Sequence, residues 1–188
     1  TRLATYEGGF QAFIDEFAQI LTGMGVKLRY LQPVQQITRQ ESGELLVTSN
    51  NSEELFDKVL VTISPAQLAK MAPQLPEEYL RGLLELKSLG AVVMVVSLKH
   101  QLSKEGYYWY NLPKTTGFPF LALVEHTNFL PSEQFGGNHL VYCGDYLQPG
   151  HEYFNLSKEE LLERFMPSFK RINPDFEPQW INNSWLGK

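Results

Sequence analysis

Apolar residues at Phe10, Phe13, Ile14, Phe17, Ala18 and Leu21 recur at steps of i, i+3, i+4, i+7, i+8 and i+11. That spacing is the stripe of an amphipathic helix, with Gln11, Asp15, Glu16 and Gln19 on the other face. Gly23 and Gly25 stop it, because glycine takes the left-handed conformation at a helix C-terminus without steric cost. Val26, Leu28 and Tyr30 then alternate with Lys27 and Arg29, the pattern of a half-buried strand. A helix handing directly to a strand rules out an all-α or an all-β chain.

The strand is expected to bend at Pro33, which has no N–H for a sheet ladder, and to resume over Val34–Thr38. Glu41-Ser42-Gly43-Glu44 reads as a turn into a strand at Leu45–Thr48, and Asn50-Asn51-Ser52 as a second turn. Lys58–Ile63 is a β-branched run suited to a strand buried on both faces. Ser64-Pro65 has the form of an N-cap followed by proline at the first position of a short helix through Met71. Composition shifts at Pro73-Gln74-Leu75-Pro76, a boundary between residues 7–72 and 73–188. Beyond it a helix is expected over Glu77–Leu86. Strands are expected over Ala91–Leu98, Tyr107–Asn111, Phe120–His126, His139–Tyr146 and Trp180–Trp185. A capping box, Ser157-x-x-Glu160, should open a last helix carrying Leu161, Leu162, Phe165 and Phe169.

Charge excludes one large class of function. Of 188 residues, 16 are basic and 21 acidic, and each half has 8 basic side chains, so no half has the footprint of a nucleic-acid binder. The longest apolar run, Ala91–Val96, is far below the ~20 residues of a membrane span. One cysteine, Cys143, allows no internal disulfide and sits in an apolar run that makes it a buried, inert thiol. With no secretory segment, these features read as a cytoplasmic protein. The opening Thr1-Arg2-Leu3 and the ending Trp185-Leu186-Gly187-Lys188 read as an excised interior segment.

Candidate chemistry is sparse. Gly23-Met24-Gly25 follows a helix rather than a strand and has Leu28 where a dinucleotide fingerprint needs its third glycine. None of His100, His126, His139 and His151 forms an i, i+4 pair and no Cys-x-x-Cys occurs, so no metal site is expected. His126 ends a strand, where side chains reach pockets; a structural and a catalytic role both fit it. In Tyr107-Tyr108-Trp109-Tyr110, alternation sends Tyr108 and Tyr110 to one face and Tyr107 and Trp109 to the other. One face would join a core and the other would line a site for a flat or apolar substrate.

Several segments together resemble a known family. These are Glu7-Gly8-Gly9-Phe10 with its helix, Gly23-Met24-Gly25-Val26, Pro33-Val34-Gln35-Gln36-Ile37 and Val59-Leu60-Val61-Thr62-Ile63-Ser64-Pro65. Their order is similar to the middle of the FAD-dependent oxidoreductases that include flavin amine oxidases, protoporphyrinogen oxidases and phytoene desaturases. The likeness is best over residues 7–98 and looser at His126-Thr127-Asn128-Phe129 and Tyr142–Leu147. It implies an α+β architecture in which residues 7–72 are a helix and β-meander of an FAD lobe. Residues 73–188 would be part of a substrate lobe, a mixed sheet with flanking helices.

The resemblance also implies roles. Val34 would meet the adenine edge of FAD through its main chain, and Thr62, Ile63 and Ser64 would pass near the pyrophosphate and flavin. Met94, Tyr108, Tyr110 and His126 would line the substrate pocket. Met94 stands where flavin amine oxidases commonly carry a lysine, which turns the expectation from amine oxidation toward dehydrogenation or desaturation of a small, partly apolar molecule. The family's Gly-rich phosphate turn is not among these residues, so this chain alone is expected to hold FAD weakly and to be inactive. Two other readings stay open: a flavin-dependent non-redox enzyme such as a sugar-nucleotide mutase, and a ligand-binding module without flavin. Oligomeric state is undetermined by the sequence.

Overall fold

A computed structural model describes residues 4–50 and 52–188. Thr1-Arg2-Leu3, and Asn51 within the second expected turn, lie outside the described residues. The chain divides into two compact units, Thr1–Leu86 and Lys87–Lys188.

In the N-terminal unit, α1 (Gly9–Gly23) forms where the stripe requires. Gly8 precedes it at φ +82°, and a Cβ there would lie 2.8 Å from that of Ala12, so only glycine fits this entry. Gly25 at φ +88° turns the chain out of the helix. No residue of α1 is buried. The strand expected over Val26–Tyr30 does not form: no described strand pairs with it, and a strand without a ladder has nothing to satisfy its backbone. Leu31, at φ +57° and wholly exposed, then breaks the extended path.

A three-stranded antiparallel meander follows, β1 (Val34–Arg39), β2 (Leu45–Ser49) and β3 (Ser52–Phe56), with β1 at one edge. The bend expected at Pro33 is realised as a bulge between Val34 and Gln36. The third strand is Ser52–Phe56 rather than Lys58–Ile63. Ser49 pairs with Ser52, so the segment nearer in sequence takes the free edge of β2. Residues 58–63 then have no ladder, and Leu60 is 89% exposed where burial on both faces was expected. The helix α2 (Pro65–Met71) starts as anticipated, with the Ser64 hydroxyl accepting from Gln67 N–H, and α3 (Glu77–Glu85) follows.

The C-terminal unit is a five-stranded sheet in the order β5-β6-β7-β4-β8. Its strands are β4 (Gly90–Leu98), β5 (Trp109–Asn111), β6 (Ala122–Glu125), β7 (His139–Leu147) and β8 (Ile181–Gly187). The α+β class holds, with one refinement: the sheet expected as mixed is antiparallel at every pairing. Only β5–β6 and β6–β7 are consecutive neighbours; β7 reaches β8 through the last helix, crossing β4. One face of the sheet carries Val92, Met94, Val96, Leu123, Val141 and Cys143, all buried against α4 (Lys158–Ile172) through Leu161, Phe165 and Phe169. Phe120 meets Phe165 edge-on with centroids 5.0 Å apart. The capping box forms in full, the Ser157 hydroxyl accepting from Glu160 N–H and the Glu160 carboxylate from Ser157 N–H.

Candidate functional site

The sheet of the C-terminal unit has a second face, opposite the core. Antiparallel pairs share a face, so the registers line up Trp109, Val124, Tyr142, Val95 and Trp185 in one row across all five strands. Two residues along, a second row reads Asn111, Ala122, Gly144, Val93 and Gly187. Beyond that, Tyr146 pairs with Ala91. The row holding Trp109, Tyr142 and Trp185 thus lies on one side of the smaller side chains and Tyr146 on the other, and the result is a trough with a cavity of about 220 Å³. Trp109 Nε1 donates to Asn111 Oδ1 at 2.8 Å, fixing the wall to the floor.

An aromatic cluster adjoins Tyr142. The imidazole of His126, in a single 3-10 turn after β6, lies 5.6 Å from the Tyr142 ring, 5.5 Å from Phe135 and 6.5 Å from Tyr108. Tyr108 in turn contacts Phe129. Burial among these rings holds the His126 pKa below its ordinary value near 6.5, because water that would solvate the imidazolium is excluded. The same cause raises the hydroxyl pKa values of Tyr142 and Tyr110. At neutral pH His126 is therefore an uncharged imidazole.

Its neighbour Glu125 behaves differently. This carboxylate is wholly buried on the core side and accepts from Leu102 N–H at 2.6 Å, Ser103 N–H at 2.9 Å and the Ser103 hydroxyl at 2.5 Å. Three donors satisfy it and bind the 102–103 loop to β6, a structural task.

In the N-terminal unit, Val34 lines a groove of about 380 Å³ with Lys27, Arg29, Gln32, Ser49 and Glu54. Arg29 and Glu54 form a bidentate ion pair across it. Thr62 and Ile63 are exposed and Ser64 caps α2; none of the three lines the groove at Val34.

The structure therefore brings Tyr108 and His126 together and leaves Met94 and Tyr110 apart from them. Met94 is 0% exposed on the core face, paired with Cys143, and Tyr110 packs on the same core. Val124, Tyr142 and Gly144 were not singled out by sequence reasoning, and Trp109 entered it only as one of the two faces of the aromatic run. The available signal was the Tyr142-x-Gly144-x-Tyr146 alternation in β7 beside Ala91, Val93 and Val95 in β4. Among the described residues, no cluster of His, Cys, Asp and Glu could hold a metal ion, and no helix is long and apolar enough to cross a membrane.

The chain belongs to the flavin-containing amine oxidoreductase family, whose model matches residues 1–186. No curated protein sequence matches it. Among solved structures, an oxidoreductase from Methanosarcina mazei superposes with a TM-score of 0.74 at 18% identity, over 95% of this chain and 42% of that one. A protein assigned as protoporphyrinogen oxidase from Exiguobacterium sp. 255-15 gives 0.74 at 16% identity, covering 97% and 39%. Wild-type putrescine oxidase bound to putrescine gives 0.70 at 15%, covering 96% and 38%. At such identities the likeness is one of fold, and the chain spans about two fifths of each of these structures.

Proposed function

We propose that this chain is the interior part of an FAD-dependent oxidoreductase that dehydrogenates or desaturates a small, partly apolar substrate. In this reading residues 7–72 belong to its FAD lobe and 73–188 to its substrate lobe. The observation that carries the reading is the open sheet face, where a floor of Ala122, Gly144 and Val93 lies between Trp109 and Tyr142 on one side and Tyr146 on the other. Such a surface suits an apolar molecule held flat for reaction.

Flavin would supply the acceptor for a hydride taken from the substrate. On this chain, the groove at Val34 suits the adenine end, since β1 is an edge strand and its backbone offers donors and acceptors of the kind an adenine edge pairs with. Thr62, Ile63 and Ser64 take the cofactor role that the family resemblance implies. The trough orients the substrate and excludes water. His126, neutral and at the end of β6, stands beside Tyr142 and outside the residues that line the trough, so it positions the Tyr142 ring. Lysine-assisted amine chemistry is disfavoured, because β4 turns Ala91, Val93 and Val95 to the open face and sends Met94 to the core. The surface of the N-terminal unit supports the interior placement: Phe10 is 87% and Leu60 89% exposed, apolar area of the kind that covering polypeptide buries.

The visible spectrum tests this. The full-length protein is expected to purify with stoichiometric FAD, residues 1–188 alone to retain little, and Trp109→Ala to slow flavin reduction by substrate. A colourless full-length protein, or stoichiometric FAD on residues 1–188 alone, overturns the reading.

A further inference from the structure

We propose that the trough on the open sheet face binds a flat, uncharged, conjugated ring system carrying one hydrogen-bond acceptor, with Gly144 setting its depth. The proposal deepens the substrate-surface reading and rests on it.

Charge comes first. Of the residues that line the trough, Asp145 alone is charged; Trp109, Asn111, Ala122, Tyr142, Val93 and Tyr146 are uncharged. Asp145 pairs in register with Val92, whose side chain is on the core side, and its Oδ2 lies 3.6 Å from the Lys114 ammonium. A cationic amine entering the trough would lose its hydration and meet a carboxylate already paired with Lys114, so a neutral occupant is the complementary one.

Shape comes second. Rows two residues apart along a strand are roughly 7 Å apart, and β6 to β8 spans three strand spacings of roughly 4.8 Å each. The small row is therefore a shallow, elongated slot crossing the strands, rimmed by indole and phenol rings. Stacking and edge contacts with those rims favour a planar partner over a bulky or flexible one. Asn111 provides an amide handle, beside the Tyr142 and Tyr146 hydroxyls. Its Oδ1 is occupied by Trp109 Nε1, which leaves its amide N–H groups to donate to one acceptor on the ring.

Gly144 is the steric gauge. Its φ is ordinary, so another residue is conformationally allowed, but a Cβ there would sit 3.1 Å from the Val92 carbonyl oxygen and 3.2 Å from Val93 Cγ2. An added methyl on this face presses on Val93, whose side chain forms the adjoining floor, and narrows the slot.

The test uses the flavin-free 188-residue chain, followed by amide NMR during titration with acetylnaphthalene, which is neutral, flat and has one carbonyl. The matched probe is octanediamine, a flexible dication. Acetylnaphthalene is expected to shift the amide signals of Ala122, Gly144 and Gly187 saturably, and octanediamine to leave them in place. Gly144→Val should weaken binding by roughly tenfold or more and Gly144→Ala by less. Asn111→Leu should reduce the preference for acetylnaphthalene over naphthalene. Should Gly144→Val fail to fold, the alanine variant carries the comparison. Shifts confined to other residues, equal affinity in a folded Gly144 variant, or binding of the diamine at the same amides each overturn the proposal. Those results would discard the ring class alone; the flavoenzyme reading stands or falls separately, on the flavin content of the full-length protein.

Discussion

The two units of this chain bury their apolar residues to very different degrees. In the C-terminal unit, 16 hydrophobic residues form one buried cluster between the sheet and α4. In the N-terminal unit, Ala72 is the one buried residue among those described, while Phe13, Ile14, Phe17 and Ile20 of α1 stand between 44% and 53% exposed. Both have strong helical stripes, capped helices and antiparallel ladders, so local sequence does not explain the contrast. The difference is whether the apolar face finds a partner within the chain. Helix propensity and caps specify an element, and burial holds it in place.

Hydrogen exchange on the chain should show the largest effect. Amides at the centre of β4 and β7 are expected to open only with the whole unit and to exchange at least roughly a thousandfold more slowly than those of α1. Comparable protection in α1 would break the contrast. Next, Phe165→Ala should cost about 3–5 kcal/mol of stability in chemical denaturation, because it empties a fully buried site touching Phe120 and Tyr153. Phe10→Ser, at a site 87% exposed, should stay within about 0.5 kcal/mol.

Glu125→Ala sharpens the same comparison from the polar side. It strands the buried N–H groups of Leu102 and Ser103, at about 2–4 kcal/mol by the same measurement. A smaller loss, about 1 kcal/mol, is expected from Ser157→Ala, which removes the capping box of α4.

The smallest effect concerns pH. His126 has a folded pKa below its ordinary value near 6.5, so the unfolded chain takes up the proton first. The stability contributed by the neutral imidazole is complete above pH 6.5 and is lost as pH falls from there through the folded value. The melting temperature should drop over that window, and His126→Phe should flatten the drop while keeping the aromatic packing. An unchanged slope in the variant would show that His126 is not the group responsible.

What could be read from the sequence follows the same division. Ser64-Pro65, Ser157-x-x-Glu160 and the Gly23-x-Gly25 stop mark helix ends through contacts three or four residues long, and each sits where expected. Strands depend on partners elsewhere in the chain. Val26–Tyr30 and Lys58–Ile63 have strand patterns, yet neither is paired among the described residues, while the less β-like Ser52–Phe56 is, because it lies nearer β2 in sequence. The candidate site was legible only in part. Tyr108 came from alternation in the aromatic run and His126 from its place at a strand end; they lie together beside Tyr142, and neither lines the trough. Met94 was expected in the pocket and faces the core. In β4 the residues of both parities are apolar, Val92, Met94 and Val96 against Ala91, Val93 and Val95, so alternation gave no way to choose the face. The trough needed the registers of five strands, which no local pattern contains.

Under the proposed function, the unburied stripe of α1 is an interface for the rest of a flavoprotein. Hydrogen exchange of the α1 amides, measured side by side in the 188-residue chain and in the full-length protein, tests it. The account predicts fast exchange in the first and protection greater by orders of magnitude in the second. Equal exchange in both would contradict it.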